Sequence, residues 1–457
     1  MRKIIAIAIS KLFTSLLRAT GRGGTALPGL LAERIHPSLL AELASRFSQG
    51  TILITGTNGK TTTASLVANV LRAKGYKVIH NFTGSNLTRG ILGQILEDVD
   101  LKGNFSADFG VLEVDEATSE KAAQLLKPRI MLVTNLFRDQ LDRYGELDKV
   151  ASIIDSSLKW VKERVILNGD DPLVASLGSE LKIGKIFFGL NAPELSLSRG
   201  VIDLSHCPIC DAELSFRTRY YGHLGDYVCP NCHYKRPQLD LFALDVSLRE
   251  DFLLDFKVNH RGEVKNVISP LFGIFNVYNI LSALSLCQSL GLETDFILET
   301  IARTSPAFGR LEKFCLDSKE CIIFLAKNPV GFSINIETVK RDTRKKNYLI
   351  ILNDNLADGT DTSWIWDVDF EILKDDQFGF IICSGIRAED MALRLKYADL
   401  PLEKIEIKND IREAFQMAIK MTSAGERLYI LPNYTAMLSL RSYLSKEGFL
   451  QEFWIRQ

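Results

Sequence analysis

The feature that most constrains the fold of this chain is a glycine-turned loop between a predicted strand and a predicted helix. The apolar, β-branched run at 51–55 leads into Gly56-Thr57-Asn58-Gly59-Lys60-Thr61-Thr62, and a helical stretch follows from 63 to 73. Backbone N–H groups in such a loop converge on phosphate oxygens, and the positive end of the following helix adds to the attraction. A turn that merely uses two glycines would leave the Lys-Thr-Thr sequence unexplained. The pattern therefore predicts a nucleotide-binding α/β unit, with the binding candidates Thr57, Asn58, Gly59, Lys60, Thr61 and Thr62.

Two side chains of this loop and one acid downstream have separate expected roles. Lys60 supplies a positive charge for the β- and γ-phosphates, and the Thr61 hydroxyl can ligate Mg²⁺. Glu113 stands near the end of the apolar run at 109–114. A carboxylate at the end of a strand beside a phosphate loop offers the oxygen ligand that a hard cation needs. Taken alone, such an acid is more often a solvated or capping residue.

The rest of the chain alternates apolar runs with helical stretches, which favours parallel strands covered on both faces. Such runs lie at 78–80, 109–114, 130–134 and 165–168, whereas 241–257 is typical of antiparallel strands. A second alternation begins near 320, with runs at 321–326, 348–352, 378–383, 405–407 and 427–432. We therefore expect a helical segment at 1–45, a central ATP-binding domain at 46–312 and a smaller C-terminal α/β domain at 313–457.

A patch rich in cysteine, histidine and tyrosine at 203–236 interrupts the first alternation. Cys207 and Cys210 form one C-x-x-C pair, and Cys229 and Cys232 form a second pair after 18 intervening residues. Two such pairs can hold one tetrahedral Zn²⁺ through four thiolates, with no position left open for catalysis. A structural zinc ribbon inserted in the central domain is predicted in preference to a redox dithiol. The remaining cysteines are scattered and are interpreted as buried small hydrophobes: Cys287, Cys315, Cys321 and Cys383.

The charge balance argues against a protein that coats nucleic acid. The 457 residues carry 55 basic and 56 acidic side chains, which gives a formal charge of −1. Basic and aromatic residues around the predicted ribbon keep a local nucleic-acid site open as an alternative. They are Arg217, Arg219, Tyr220, Tyr221, Tyr234, Lys235 and Arg236. The nearby histidines are interpreted as surface residues: His206, His223 and His233.

The first 18 residues are predicted to form an amphipathic helix, because apolar residues recur at helical spacing. They are Ile9, Leu12, Phe13, Leu16 and Leu17, with Lys11 and Arg18 between them. The apolar run at 4–9 is too short for a secretory signal or for a membrane span, which needs about 20 residues. We expect a cytoplasmic protein whose N-terminal helix either packs on its own domain or touches a membrane surface or a partner.

An acidic loop follows the predicted strand at 348–352. Residues 353–370 contain five aspartates and two tryptophans, with the segment Asp358-Gly359-Thr360-Asp361 near the middle. The carboxyl ends of strands are the usual ligand sites of open α/β sheets. Turn-forming aspartates and packed tryptophans would also account for this composition.

Together these motifs resemble the Mur ligases and folylpolyglutamate synthetases. Besides the loop G-T-N-G-K-T-T, the chain carries L-E-V-D-E-A around Glu113, T-N-L-F-R-D-Q-L-D-R at 134–143, N-G-D-D-P at 168–172, F-N-V-Y-N at 275–279 and G-R-L-E at 309–312. The resemblance implies that Glu113 binds Mg²⁺, that Asn276 lies near the adenine and that Arg310 approaches the phosphates. Gln140 and Tyr144 stand where many Mur ligases have histidines, so no second metal site or carbamylated lysine is carried over.

The chain closely resembles the branch of the Mur ligases that amidates lipid II. That branch also combines the ATP loop, an inserted four-cysteine ribbon and a C-terminal N-D-x-x-A-D-G-x-D-x-S-W-I segment. The resemblance implies a parallel α/β ATPase domain with a zinc ribbon and a smaller C-terminal α/β domain. It further implies ATP, Mg²⁺ and structural Zn²⁺ as cofactors, lipid II at the membrane surface as substrate, and a GatD-type glutaminase as partner.

The same resemblance implies a reaction. ATP phosphorylates the α-carboxylate of D-isoglutamate in the lipid II stem peptide, and ammonia from the partner displaces phosphate to give D-isoglutamine. Lys60 and Arg310 would stabilise the transferred phosphoryl group. Asp361 would orient the histidine of the partner's Cys–His pair, because an aspartate bonded to a histidine fixes its tautomer.

Two other classes of protein remain open from the sequence. A self-sufficient amino-acid ligase of the Mur or folylpolyglutamate synthetase type would need no glutaminase, but it would not explain the ribbon or the acidic loop. A zinc-ribbon ATPase that binds nucleic acid is disfavoured by the balanced charge and by the G-R-L-E segment.

Overall fold

A computed structural model describes most of the chain, with residues 1–19, 26–81, 86–137, 147–195, 204–249, 253–271, 273–304, 310–326, 328–340, 342–375 and 377–450. Two sheets organise these residues, one of nine strands and one of six, and a two-stranded hairpin stands apart from both. The predicted α/β fold class is confirmed.

The first eleven strands belong to the central part of the chain. In chain order they are β1 (Gly50–Thr55), β2 (Val78–His80), β3 (Phe109–Glu113), β4 (Ile130–Val133), β5 (Arg164–Asn168), β6 (Gly184–Leu190), β7 (Ser215–Tyr221), β8 (Leu224–Val228), β9 (Leu241–Leu248), β10 (Leu254–His260) and β11 (Glu263–Ser269). The nine-stranded sheet has the order β11-β10-β9-β6-β5-β4-β1-β3-β2. Its strands are parallel from β2 through β9, and β9, β10 and β11 are antiparallel, as the apolar patterns predicted.

Ten helices of the described chain surround this sheet or precede it. They are α1 (Arg2–Ala19), α2 (Ala26–Ile35), α3 (Leu39–Ala44), α4 (Lys60–Ala73), α5 (Thr88–Asp98), α6 (Ser119–Leu126), α7 (Leu147–Leu158), α8 (Pro172–Ser176), α9 (Ile274–Ser289) and α10 (Thr294–Ala302). Alternate residues of β1 enter two different cores. Ile52 and Ile54 pack with residues of α4 and α9, whereas Leu53 packs with residues of α1, α3 and α5. Burial on both faces explains why β1 is a continuous apolar run.

The six-stranded sheet is formed by the C-terminal part of the chain. Its strands are β12 (Arg310–Leu316), β13 (Lys319–Phe324), β14 (Lys346–Ile351), β15 (Phe378–Ser384), β16 (Ile405–Ile407) and β17 (Arg427–Pro432), in the order β12-β13-β17-β14-β15-β16. The helices are α11 (Pro329–Lys340), α12 (Ala388–Tyr397), α13 (Ile411–Met421) and α14 (Tyr434–Lys446). The predicted domain boundary after residue 312 lies inside β12. Among the described strands of this sheet, only β12 runs antiparallel to its neighbour.

One interpretation of the scattered cysteines is wrong. Cys287, Cys321 and Cys383 are buried as expected, but Cys315 is exposed. Cys315 lies on β12, one of the two edge strands of the six-stranded sheet, which pairs on one side only within the described residues. The short apolar segment around this cysteine does not distinguish an edge strand from a central strand.

The order of the first sheet determines where the phosphate loop lies. β1 is paired with β3 on one side and with β4 on the other, all three parallel. The loop that leaves β1 therefore meets the segments that leave β3 and β4 at the same edge of the sheet. The carboxyl ends of parallel strands are where open α/β sheets bind ligands.

The N-terminal helix packs on its own domain through one face. Ala6, Ile7 and Ser10 are buried, and α1 lies against α2 and α5. Every helix in the described part of the chain is too short or too polar to cross a lipid bilayer. Residues 20–25, which include the glycine-rich run Gly21-Arg22-Gly23-Gly24, lie outside the described residues.

Candidate functional site

Two glycines shape the phosphate loop against neighbouring segments. Gly56 has a φ of +120°, and a Cβ at this position would collide with the Thr134 hydroxyl. Gly59 has a φ of +85°, and a Cβ there would collide with Asn279 Oδ1. Both positions combine a left-handed backbone with a lack of space, so glycine is required. Gly59 immediately precedes α4, and the first-turn N–H groups of a helix have no acceptor within the helix and can bind an anion.

An acidic side chain holds the ammonium group of Lys60. Its Nζ donates to Glu116 Oε1 at 3.0 Å and to the Thr57 carbonyl at 3.3 Å. Both charged side chains are only 9 % exposed. Glu116 neutralises the lysine inside a nearly dry site, where an unpaired charge is costly. Glu116 was not predicted, although it belongs to the same L-E-V-D-E-A segment as Glu113.

The structure brings together the two side chains predicted to ligate Mg²⁺. Thr61 Oγ1 donates to Glu113 Oε2 at 2.8 Å. Glu113 is the last residue of β3, and its backbone N–H and carbonyl both bond to the Asn81 side chain at 2.8 Å. A hydroxyl and a carboxylate at the mouth of a phosphate loop are the hard oxygen ligands that Mg²⁺ prefers. The donor set therefore fits the expected ion.

Two buried polar groups of the loop lack a partner within the described chain. Asn58 Nδ2 and the Thr62 hydroxyl make no hydrogen bond there. An unpaired buried donor costs about 1–3 kcal/mol, so a ligand that accepts from these groups would recover that cost. Asn58 Oδ1 accepts from Asn328 Nδ2 at 3.2 Å, which links the loop to the C-terminal part of the chain. Asn328 was not predicted, and its contact spans 270 positions.

Asn276 lies in the first turn of α9, beside the phosphate loop. Asn279 Nδ2 donates to Asn276 Oδ1 at 2.9 Å, and both side chains are buried. A cleft next to them lies between the central and C-terminal parts of the chain. Its lining includes Asn58, Tyr221, Phe275, Asn279, Phe324 and Asn335. Aromatic rings and amides in one cleft suit a planar base with polar edges.

The structure describes two predicted parts of the site incompletely. Arg310 is the first residue of β12, where its backbone pairs with Phe324, and its side chain lies outside the described part. Residues 138–146, which include Gln140 and Tyr144, also lie outside it. The role of Arg310 at the phosphates stays a prediction.

The N-G-D-D-P segment supplies buried supports. Asp171 Oδ1 accepts from Leu173 N and Val174 N, and so caps α8. Asp170 accepts from Arg236 at 3.1 Å and from the Tyr278 hydroxyl at 2.8 Å. Complete burial raises the pKa of Asp170 to about 6, although Arg236 opposes the change. Asp170 thus joins Arg236, at the end of the ribbon, to Tyr278 on α9.

The four ribbon cysteines converge on one point. Their sulfur atoms all lie within 4.8 Å of one another, with 3.6 Å between Cys207 and Cys232 and 3.5 Å between Cys210 and Cys229. These separations exceed the disulfide length of about 2.05 Å. They match the spacing of about 3.8 Å that follows from four Zn–S bonds of about 2.3 Å in a tetrahedron. The donor set therefore fits a structural zinc ion.

One histidine beside the ribbon is buried, contrary to the sequence interpretation. His206 and His233 are exposed, but His223 is 0 % exposed. It lies in the turn between β7 and β8, where its ring centroid is 4.6 Å from that of Phe137. Phe137 is 86 positions away in sequence, so no local pattern could have shown this contact.

The acidic loop presents two aspartates of D-G-T-D in opposite ways. Asp358 is buried and accepts from Thr435 N at 2.8 Å and from the Thr435 hydroxyl. Asp361 is exposed and accepts from Ser363 N at 2.8 Å. The hydroxyl and N–H of Ser363 hold the pKa of Asp361 below its usual range, so its carboxylate is ionised at neutral pH. Asp358 fixes the loop, whereas Asp361 is available to another molecule.

Comparison with known proteins gives two family matches and relatives of full length. The Mur ligase middle domain matches residues 54–209, and the MurT ligase C-terminal domain matches residues 325–437. The subunit MurT of lipid II isoglutaminyl synthase (glutamine-hydrolyzing) from Staphylococcus aureus strain COL is 34% identical over 452 residues, which cover 98% of each chain. The subunit of the same name from Streptococcus pneumoniae is 32% identical over 449 residues, 96% of each chain.

Solved structures share the fold at lower identity. A pseudomurein peptide ligase type C from Methanothermus fervidus aligns with a TM-score of 0.69 and 22% identity, and the match covers 89% of this chain and 80% of that one. MurF ligase from Thermotoga maritima, solved in complex with ADP, aligns with a TM-score of 0.65 and 16% identity over 91% of this chain and 84% of that one.

Proposed function

This chain belongs to the MurT family, a branch of the Mur ligases, and we propose that it is the ATP-dependent synthetase subunit of a lipid II isoglutaminyl synthase. Its reaction amidates the α-carboxylate of D-isoglutamate in the lipid II stem peptide during peptidoglycan biosynthesis. The observation that carries this proposal is the similarity to MurT along 98% of the chain, phosphate loop and acidic loop included.

The chemistry needs activation, because a carboxylate is a poor electrophile. The γ-phosphoryl group of ATP passes to a carboxylate oxygen, which gives an acyl phosphate and ADP. Ammonia then attacks the acyl carbon, the bond from that carbon to the phosphate oxygen breaks, and the amide, inorganic phosphate and a proton are released. Lys60 exchanges Glu116 for the phosphates and, with Arg310, stabilises the charge of the transferred group.

The loop and its neighbours bind and orient the nucleotide. We assign the phosphates to Thr57, Asn58, Gly59, Lys60, Thr61 and Thr62, and the base to the cleft beside Asn276. Thr61 and Glu113 would hold Mg²⁺, which when bound neutralises phosphate charge. Cys207, Cys210, Cys229 and Cys232 would hold Zn²⁺, which contributes folding energy rather than catalysis.

A GatD-type glutaminase is the proposed source of ammonia, and the acidic loop is its proposed docking region. Asp361 would orient the catalytic histidine of that partner, and its exposure and ionised state suit this role. Large apolar side chains are exposed nearby on the loop and on α12, namely Leu356, Trp366, Leu393 and Tyr397. Exposed apolar groups around a charged residue are typical of a protein interface.

Helix α1 is the proposed contact with the membrane that carries lipid II. Its outward face consists of apolar residues, with Ile5 44%, Leu12 59%, Phe13 37% and Leu16 52% exposed. The helix contains four basic residues and no acid. An apolar stripe flanked by cations suits the anionic surface of a bilayer.

One set of assays tests the proposed function. The purified chain should amidate lipid II with ATP and ammonia, and it should use glutamine only when a glutaminase subunit is added. Glutamine use without a partner would overturn the two-subunit proposal. ATP-dependent addition of an amino acid in place of ammonia would favour the alternative of a stand-alone Mur or folylpolyglutamate synthetase-like ligase.

A further inference from the structure

The zinc ribbon reaches the phosphate loop through the turn between β7 and β8. This turn consists of Gly222 and His223, which we call the ribbon tip. Gly222 has a φ of +54°, and a Cβ there would lie 2.6 Å from the Phe137 ring. Tyr221 and His223, on either side of Gly222, place their rings 4.9 Å and 4.6 Å from that of Phe137. The ribbon tip therefore encloses Phe137, which is 2 % exposed.

Phe137 in turn holds the phosphate loop. Its backbone N–H donates to Thr57 Oγ1 at 3.0 Å, and Thr57 Oγ1 donates to the Phe137 carbonyl at 3.2 Å. Two residues earlier, Asn135 accepts from Thr57 N at 2.8 Å through its carbonyl and from Asn58 N at 2.9 Å through Oδ1. Four hydrogen bonds thus fix the first half of the loop to the segment that the ribbon tip covers.

A further contact connects the ribbon tip to the same segment. His223 Nε2 lies 3.5 Å from Asp171 Oδ2, and that oxygen accepts from Leu136 N at 2.8 Å. Neither ring nitrogen of His223 makes a hydrogen bond within the described chain, so packing of the ring dominates its contacts there. Asp171 thus lies between the ribbon tip and the backbone of Leu136.

The opposite end of the hairpin carries the cysteines. Six residue steps separate Ser215 and Tyr221, which corresponds to about 20 Å of extended strand. The Cys229 N–H donates to the Tyr234 carbonyl at 2.7 Å, and the Tyr234 hydroxyl donates to the Pro172 carbonyl at 2.7 Å. Tyr234 thus joins the cysteine end of the hairpin to the start of α8, and the hairpin extends from there to Phe137.

We propose that the ribbon tip positions the phosphate loop for nucleotide binding, with His223 and Gly222 as positioning residues. The ribbon is then a support of the ATP site as well as a folded insertion. This inference rests on the assignment of the loop as the ATP site, which ADP binding to the unaltered chain tests separately.

The experiment measures ADP affinity by calorimetry and steady-state amidation with ammonia on full-length variants. His223→Ala and Gly222→Ala should each weaken ADP binding about tenfold, which corresponds to about 1.4 kcal/mol. They should raise the KM for ATP by a similar factor and leave the KM for ammonia unchanged. His223→Phe, which keeps a flat ring against Phe137, should bind ADP within threefold of the unaltered chain.

Controls separate positioning from loss of structure. Arg217→Ala changes a side chain on β7 that is 78% exposed, and it should leave ADP binding unchanged. Hydrogen exchange of the amides at 54–60 should accelerate in His223→Ala, while exchange in the six-stranded sheet stays the same. If His223→Ala and Gly222→Ala fold, retain zinc and bind ADP as tightly as the unaltered chain, the proposal is overturned. ADP binding that is absent from the unaltered chain would overturn the assignment of the loop instead.

Discussion

Lys60 Nζ lies 3.0 Å from Glu116 Oε1, so the charge that we propose for the phosphates of ATP is already paired with a carboxylate. The pair is nearly dry, so Lys60 cannot bind phosphate strongly without giving up a strong contact. We therefore expect Glu116 to compete with the nucleotide for the lysine. The carboxylate also adds negative charge to the site that we propose for a polyanion.

The first prediction follows from this competition. Glu116→Gln removes the negative charge but keeps an acceptor for Lys60. We expect ATP without Mg²⁺ to bind about tenfold more tightly to the variant, since contacts of charged groups contribute about 1.5–3 kcal/mol. Calorimetric titration in a buffer with chelator measures the affinity. Glu120→Gln, an exposed position in α6, is the control, and an affinity that is unchanged or weaker in Glu116→Gln would contradict the competition.

The second prediction separates the two aspartates of the acidic loop. Asp361→Asn should lower glutamine-dependent amidation at least about 100-fold, because an asparagine would not stabilise the protonated histidine of the proposed glutaminase partner. Activity with free ammonia should stay within twofold. Asp358→Asn should instead destabilise the loop by about 1–3 kcal/mol, since it disturbs the buried bonds to Thr435. Asp358→Asn should therefore lower the activity with glutamine and the activity with ammonia by the same factor. Parallel assays with the two nitrogen sources distinguish the two patterns.

Features with a local cause could be predicted from the sequence. The strands of the central sheet are continuous apolar runs because both of their faces are buried, as Ile52 and Leu53 illustrate. The phosphate loop needs glycine at positions 56 and 59 because both have a positive φ, and glycines in a loop between a strand and a helix are visible in the sequence. The two C-x-x-C pairs and the distance between them can be read directly from the sequence. These signals depend on a few neighbouring residues, so one sequence suffices.

Features with a long-range cause could not be predicted in the same way. His223 is buried because its turn folds against Phe137, and Asn328 meets Asn58 from another sheet. Glu116 and Glu113 differ by three positions, and only the fold shows that one contacts Lys60 and the other Thr61. The N-terminal helix was expected to be amphipathic, but the sequence did not show that Leu12 and Leu16 face outward while Ala6 and Ile7 pack inward.

The third prediction concerns the metal of the ribbon. The unaltered chain should contain about one zinc per chain, since four thiolates complete one tetrahedral site. Cys210→Ser should lose most of this zinc and lower the unfolding temperature, because metal binding contributes folding energy. Cys315→Ser, at an exposed cysteine outside the quartet, should keep the zinc. Elemental analysis of dialysed protein measures the content, and full zinc retention in Cys210→Ser would rule out the proposed ligand set.

The fourth prediction concerns the outward face of α1. The unaltered chain should bind vesicles of phosphatidylglycerol and phosphatidylcholine, and binding should weaken with salt as charges are screened. Replacing both Leu12 and Leu16 with Gln should weaken binding at least about tenfold, since burying one leucine contributes about 1.5–3 kcal/mol. Leu101→Gln removes an exposed leucine elsewhere and serves as control. Flotation with vesicles measures the binding, and equal flotation of all variants would refute a role for this face.

The fifth prediction is a pH dependence caused by His80. This residue ends β2, is buried, and has no hydrogen-bond partner for Nε2 within the described chain. Burial, helped by the nearby Arg72 charge, lowers the pKa of His80 to about 3, whereas an unfolded histidine titrates near 6.5. Its neutral form stabilises the fold above pH 6.5, and that stability is lost as the pH falls from 6.5 towards 3, because the unfolded chain takes up the proton first. At pH 5 the loss amounts to about 2 kcal/mol relative to pH 7.

In urea unfolding of the central domain, the free energy of unfolding of His80→Gln should therefore fall by about 2 kcal/mol less than that of the unaltered chain between pH 7 and pH 5. His233→Gln, at an exposed histidine, should behave like the unaltered chain. Equal losses in all three proteins would show that the pKa of His80 does not differ between the folded and unfolded states as inferred.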